Sequence, residues 1–107
     1  MTPTKFARAV AAEKDALLRE YFAARSTSAV AESIRALNLT PSQRRRLRGV
    51  IDGALTDLSY TLLVALDGEA RLGTLPQQEF GLFDEGGRRL TGGELEAAEW
   101  DVFHGGK

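Results

Sequence analysis

Residues 60–73 read YTLLVALDGEARLG, and the fold turns on how they are taken. An Asp-Gly pair between two apolar segments is the signature of a two-residue β-hairpin. A helix competes for the same residues. Leu47, Val50, Ile51, Ala54, Leu55, Leu58, Leu62 and Ala65 fall on one stripe at about 100° per residue, and the stripe crosses position 60 without a change of period. The unbroken period favours helix. Tyr60, Leu63 and Val64 add apolar side chains opposite the stripe, and a helix apolar all round is buried all round. Residues 57–66 are therefore expected at the centre of the domain or in a subunit interface, with Leu58 and Leu62 in the core.

Upstream, LTPSQRRRLRG (39–49) supplies the start of this helix. Thr40 can act as N-cap, Pro41 suits the first helical position, and Gln43 completes a capping box. Two further helices precede it. One is expected from about Pro3 to Ala24, carried by Phe6, Val10, Leu17, Tyr21 and Phe22. The other runs from about Ala29 to Leu37, with Val30, Ile34 and Leu37 on one face. Downstream, Phe80 and Leu82 alternate ahead of a turn at Asp84–Gly87, which reads as a short hairpin. Thr91 and Glu94 then form a second capping box, and Gly105 stops the last helix. The expected architecture is mostly α with a small β-hairpin: three N-terminal helices, the third long and central, then the hairpin and a C-terminal helix, in a single domain over 1–107.

A chain of 107 residues with 43% hydrophobic and 27% charged residues is of ordinary globular composition. It contains no cysteine, which removes disulfides, thiol chemistry and zinc fingers. The opening MTPTKFARAV lacks the layout of a secretory signal, and no uninterrupted apolar run spans a bilayer, so a cytoplasmic protein without a membrane role is expected. Eleven arginines against three lysines suit a GC-rich bacterial genome. The net charge of −1 conceals a split. Residues 1–50 carry ten basic and four acidic side chains; residues 51–107 carry four basic and eleven acidic. Either the halves neutralise each other, or one face is acidic and another basic.

Four groups of residues bear on function. Gln43, Arg44, Arg45, Arg46 and Arg48 open the third helix after a short turn, in a helix-turn-helix-like segment over residues 28–50 whose recognition helix would meet nucleic acid. On a helical wheel, however, these arginines radiate instead of gathering on one face, and Asp52 stands four residues after Arg48, where it can pair with it. Gly49, Asp52, Gly53 and Thr56 make a small face, which reads as close packing by another helix or as a groove. In the last helix Leu95, Ala98 and Val102 define one side, with Trp100 and Phe103 widening it. Glu99 falls inside that apolar arc and needs a partner, for which Arg71, Arg88 or Arg89 is available. Glu96, Glu99, Trp100 and Phe103, with Asp84 and Glu85 of the hairpin turn, are the expected protein-binding residues, and Trp100 should be partly exposed at its edge. Catalysis has little to work with. His104 is the only histidine, near the C-terminus, and Asp52 and Asp57 lie about 140° apart on their helix. No enzyme activity, cofactor or metal is expected. The leading expectation is a small protein-binding module, of adaptor or immunity-protein type, that occludes a basic partner or meets a second copy of itself. The alternative is a nucleic-acid-binding regulator, although nucleic acid is not the expected partner.

Overall fold

Four helices carry the chain in the computed structural model, which describes residues 1–105. They are α1 (Pro3–Tyr21), α2 (Ala29–Ala36), α3 (Pro41–Leu66) and α4 (Glu94–Trp100), the last continued by a π-helical turn, Asp101–Gly105. The protein is mostly helical, and α3 is the long central element.

Local chemistry accounts for the boundaries. Thr2 caps α1 by accepting from the Lys5 amide, and Ser28 caps α2 by accepting from Ala31. The capping box at Thr40 forms in full: the Thr40 hydroxyl accepts from the Gln43 amide, and the Gln43 side chain accepts from the Thr40 amide. At the other end of α3, the Asp-Gly pair makes a helix stop and not a hairpin. Gly68 sits at φ +84°, its amide donates to the Ala65 carbonyl, and the Glu69 amide donates to Val64. Those two bonds are the Schellman pattern, which needs a left-handed residue after the C-cap and so favours glycine.

Several expectations are corrected. The segment around Phe80–Leu90 is not a hairpin of strands. It is a turn closed by a single antiparallel bridge, Phe83 to Arg89, and no strand occurs among the described residues. Thr91 is why. Its buried hydroxyl donates to the Phe80 carbonyl and accepts from the Leu82 amide, so a side chain takes the place of ladder bonds. Thr91 is thereby unavailable for the expected capping box with Glu94, and α4 is capped two residues later, at Gly93.

The second correction concerns the face of α3 that is buried. Val50 is 68% exposed, Leu58 63% and Leu62 39%, so the middle of the apolar stripe faces outward. Leu63, opposite the stripe, is buried instead, and of the stripe itself only Ala65, at its C-terminal end, is fully buried. The reason is a polar clamp on the opposite side. Lys14 of α1 sits between Asp52 and Thr56 of α3, with Nζ 2.8 Å from Asp52 Oδ1 and 3.3 Å from Thr56 Oγ1. Burial would lower the Lys14 ammonium, but the Asp52 hydrogen bond and charge, with Asp15, outweigh it and hold the group above its ordinary value. Asp52 is thus taken by Lys14 and not by Arg48. The core lies between α1, α3 and α4, where Ala7, Leu18, Leu63, Leu95 and Ala98 are buried, with Ala31 and Ile34 of α2 at one end. Gly49 and Gly53 do not mark a close approach, because a Cβ at either would meet nothing within 4 Å.

α3 also contains an 18-residue window of mean hydropathy 1.3, long and apolar enough to cross a membrane by length and composition alone. This departs from the expectation that the chain holds no such segment.

Candidate functional site

Asp67 builds the site. It lies at the C-cap of α3, buried, and its two carboxylate oxygens accept from backbone amides of the approach to α4: Oδ1 from Gly92 at 2.7 Å and Oδ2 from Glu96 at 3.0 Å. Gly93, the N-cap residue, has no side chain to offer, so a carboxylate from the preceding helix satisfies donors that would otherwise be orphaned. Negative charge at a helix N-terminus is also electrostatically favourable. The tie docks α4 against the last turns of α3.

Docking sets three rings together. Trp100 and His104, one turn apart, stack with centroids 4.8 Å apart and planes at 30°. Tyr60 of α3 meets His104 edge-on at 4.8 Å and Trp100 at 5.9 Å. Trp100 remains 52% exposed, as expected for an edge-exposed ring. Beside it opens a cleft of about 640 Å³ lined by Tyr60, Gly93, Glu96, Ala97, Trp100 and Asp101. Two aromatic rings and two carboxylates thus share one opening.

Glu99 is on α4, the same helix as Trp100, but does not line this cleft. It is fully buried, and neither carboxylate oxygen has a hydrogen-bond partner. None of Arg71, Arg88 or Arg89 reaches it, and the Arg89 guanidinium is directed to Thr91 and the Phe80 carbonyl. Loss of water pushes its pKa up to about 8, with the Glu96 and Asp67 charges adding to the shift. Glu99 is therefore protonated at neutral pH, and that resolves the cost of burying it. Burial likewise raises the Tyr60 hydroxyl, with help from Glu99 and Glu96.

The expected protein-binding residues do not form one patch. Glu96 and Trp100 meet at the cleft. Phe103 turns toward α1, where the Lys14 ammonium sits 6.0 Å from its ring centre. Asp84 and Glu85 line a different cleft of about 530 Å³ with Phe6, Leu82 and Leu90. Asp84 is engaged locally there, accepting from the Arg88 amide and from the Met1 amino group. Tyr60 and His104 were missed from sequence. His104 was legible in principle, since it stands four residues after Trp100 and so on the same face.

At the start of α3 the arginines divide. Arg44 donates to the Phe22 carbonyl at 2.6 Å and lies over the Phe22 ring, which fastens α3 to the end of α1. Gln43 is used in the capping box. Arg45, Arg46 and Arg48 are exposed. None forms an ion pair with the acidic half among the described residues. Also among the described residues, no three His, Asp or Glu side chains gather closely enough to hold a metal. Set against known proteins, the chain matches no family model, no curated relative and no solved structure.

Proposed function

We propose that the protein is a small binding module that takes a basic side chain of a protein partner into the cleft between the end of α3 and α4. The observation that carries this is the lining of the cleft: half-exposed Trp100 and the Tyr60 ring beside the Glu96 and Asp101 carboxylates. A lysine ammonium or arginine guanidinium is attracted to an aromatic face, and more so when partly desolvated. The carboxylates neutralise it and steer it in. An exposed tryptophan with an acidic rim has the make-up of an interface hot spot, where a large rigid surface gains from desolvation. Glu99 is buried and does not line the cleft, which leaves Glu96 and Asp101 as the charges the partner meets.

Trp100 is the only tryptophan, so its emission reports the site directly. Titration with an oligo-arginine peptide should give a saturable, salt-sensitive change that is lost in Glu96→Gln/Asp101→Asn. An oligo-glutamate peptide of equal length should give none. If both peptides act alike, or the double variant binds as well as the parent, the proposal fails. A low-salt shift of random duplex DNA, lost in Arg45→Gln/Arg46→Gln, would point to nucleic acid instead.

A further inference from the structure

We propose that the outward stripe of α3 is the contact between two copies of the chain, arranged antiparallel about a two-fold axis near Ala54 and Leu55. The surface is separate from the Trp100 cleft, and the two readings stand or fall independently.

The stripe is too apolar to be left to water. Val50, Leu58 and Leu62 are exposed along it, and Leu47, Ile51 and Leu55 are half-buried beside them. A continuous apolar surface of this kind on one helix marks an interaction site. The molecule is also loosely gathered, with a radius of gyration of 16.3 Å, against about 13 Å for a compact chain of roughly 100 residues.

The pattern of the stripe selects its occupant. An isologous contact needs a surface complementary to itself after a two-fold rotation. With the axis between residues 54 and 55, Leu47 faces Leu62 of the second copy, Ile51 faces Leu58, and Ala54 faces Leu55. Three apolar pairs then meet across the axis while Val50 falls opposite Ser59, and the smallest of the paired residues lies beside the axis, where the helices must approach. Between Leu47 and α2, a groove of about 390 Å³ is walled by Val30, Ile34, Leu37 and Ile51. It opens where Leu62 of the second copy arrives, a knob meeting a hole. Charge fixes the direction. The N-terminal end of α3 exposes Arg45, Arg46 and Arg48; just beyond its C-terminal end comes the exposed Glu69. Antiparallel packing sets each arginine end beside the acidic end of the other copy and opposes the two helix dipoles. Parallel packing would set three exposed arginines against three.

A bilayer is a poorer occupant. Gly49–Leu66 includes Asp52 and Asp57, and Asp52 is held by Lys14. Inserting α3 would therefore draw in α1, whose exposed residues include Arg8, Glu13, Asp15 and Arg19. Charges within hydrocarbon are costly.

Sedimentation equilibrium of the full chain at micromolar concentration should give twice the monomer mass of 11.6 kDa. Leu58→Glu/Leu62→Glu should give the monomer with unchanged far-ultraviolet helicity, since both side chains are exposed in the isolated subunit. The chain has no cysteine of its own, so introduced thiols report orientation without change to the stripe elsewhere. Ala54→Cys should cross-link to itself, and Leu47→Cys should cross-link to Leu62→Cys but not to itself. A parent protein that is monomeric at every concentration would overturn the proposal. So would a double-glutamate variant that stays dimeric, self-linked Leu47→Cys, or a monomer that floats with phosphatidylcholine–phosphatidylserine vesicles.

Discussion

Glu99→Gln isolates the most unusual group in the molecule. Its folded-state pKa of about 8 stands well above the ordinary value of 4.5, because the carboxyl is buried, unpaired and close to the Glu96 and Asp67 charges. Below pH 4.5 both folded and unfolded chains carry the proton, and Glu99 adds no pH dependence. Between pH 4.5 and 8 the unfolded chain has released it while the folded chain has not, so stability falls as pH rises. The slope from one such group is at most about 1.4 kcal/mol per pH unit. Above pH 8 both states are ionised and the loss levels off. From pH 4.5 to 7 the accumulated cost is about 3 kcal/mol as an upper bound. Glutamine keeps the shape of the side chain and never ionises, so urea unfolding of Glu99→Gln should lack this slope. The two proteins should differ little at pH 4 and diverge steadily toward pH 8, with the variant the more stable. Tyr60, Glu96 and Asp67 are the titratable groups that interact with it and are unchanged in the variant, so the difference between the two curves belongs to Glu99. Parallel curves across pH 5–8 would refute the argument and mean that Glu99 is ionised in the folded protein.

The orientation of α3 is tested by Leu63→Ala against Leu58→Ala. The buried leucine should cost about 2–5 kcal/mol in urea unfolding, and the exposed one well under half of that in the double-glutamate background, where no second copy is present. Lys14→Met should destabilise by about 1–2 kcal/mol, since it breaks the clamp while leaving Asp52 half-open to water; equal stability would remove the clamp as the reason for the helix's rotation. Gly49→Ala and Gly53→Ala should each stabilise by up to about 1 kcal/mol, because both glycines are mid-helix with open space around them; thermal unfolding of the same double-glutamate background decides it. Asp67→Ala should cost about 1–3 kcal/mol by orphaning the Gly92 and Glu96 amides, and hydrogen exchange should show the loss concentrated in α4.

What the sequence disclosed was local. The Thr40–Gln43 box needs only residues three apart, so it was legible, and so was the persistence of α3 past residue 60. Glycine at position 68 supports a helix stop or a hairpin turn, and the period of the stripe favoured the former. What it hid was relational. Thr91 and Glu94 have the spacing of a capping box, yet Thr91 is drawn to Phe80, eleven residues away, and Asp67 does its work at Glu96 from twenty-nine residues away. Neither partner can be read from spacing. The cleft was half visible for the same reason: Trp100 and Glu96 share a helix, whereas Tyr60 joins them only because Asp67 docks that helix on α3.

The rotation of α3 has a deeper cause. Hydrophobic period identifies the face a helix hides, but it is silent on what hides it. On α3 the stripe around Leu58 and the polar face at Asp52 and Thr56 compete for α1, the helix whose Lys14 reaches this stretch. Lys14 decides between them. Had the leucine stripe packed on α1, the part-buried ammonium would face an apolar surface with no acceptor, and burying an unpaired charge costs more than one or two leucines recover. With Lys14 seated on Asp52, the stripe must turn outward, and the side chains that most resembled core become the surface with most to gain from a second copy. Lys14→Met should therefore loosen the subunit and, by freeing α3 to turn its leucines inward, weaken self-association as well. If it leaves the dimer as tight as before, the clamp supports the fold without setting the interface.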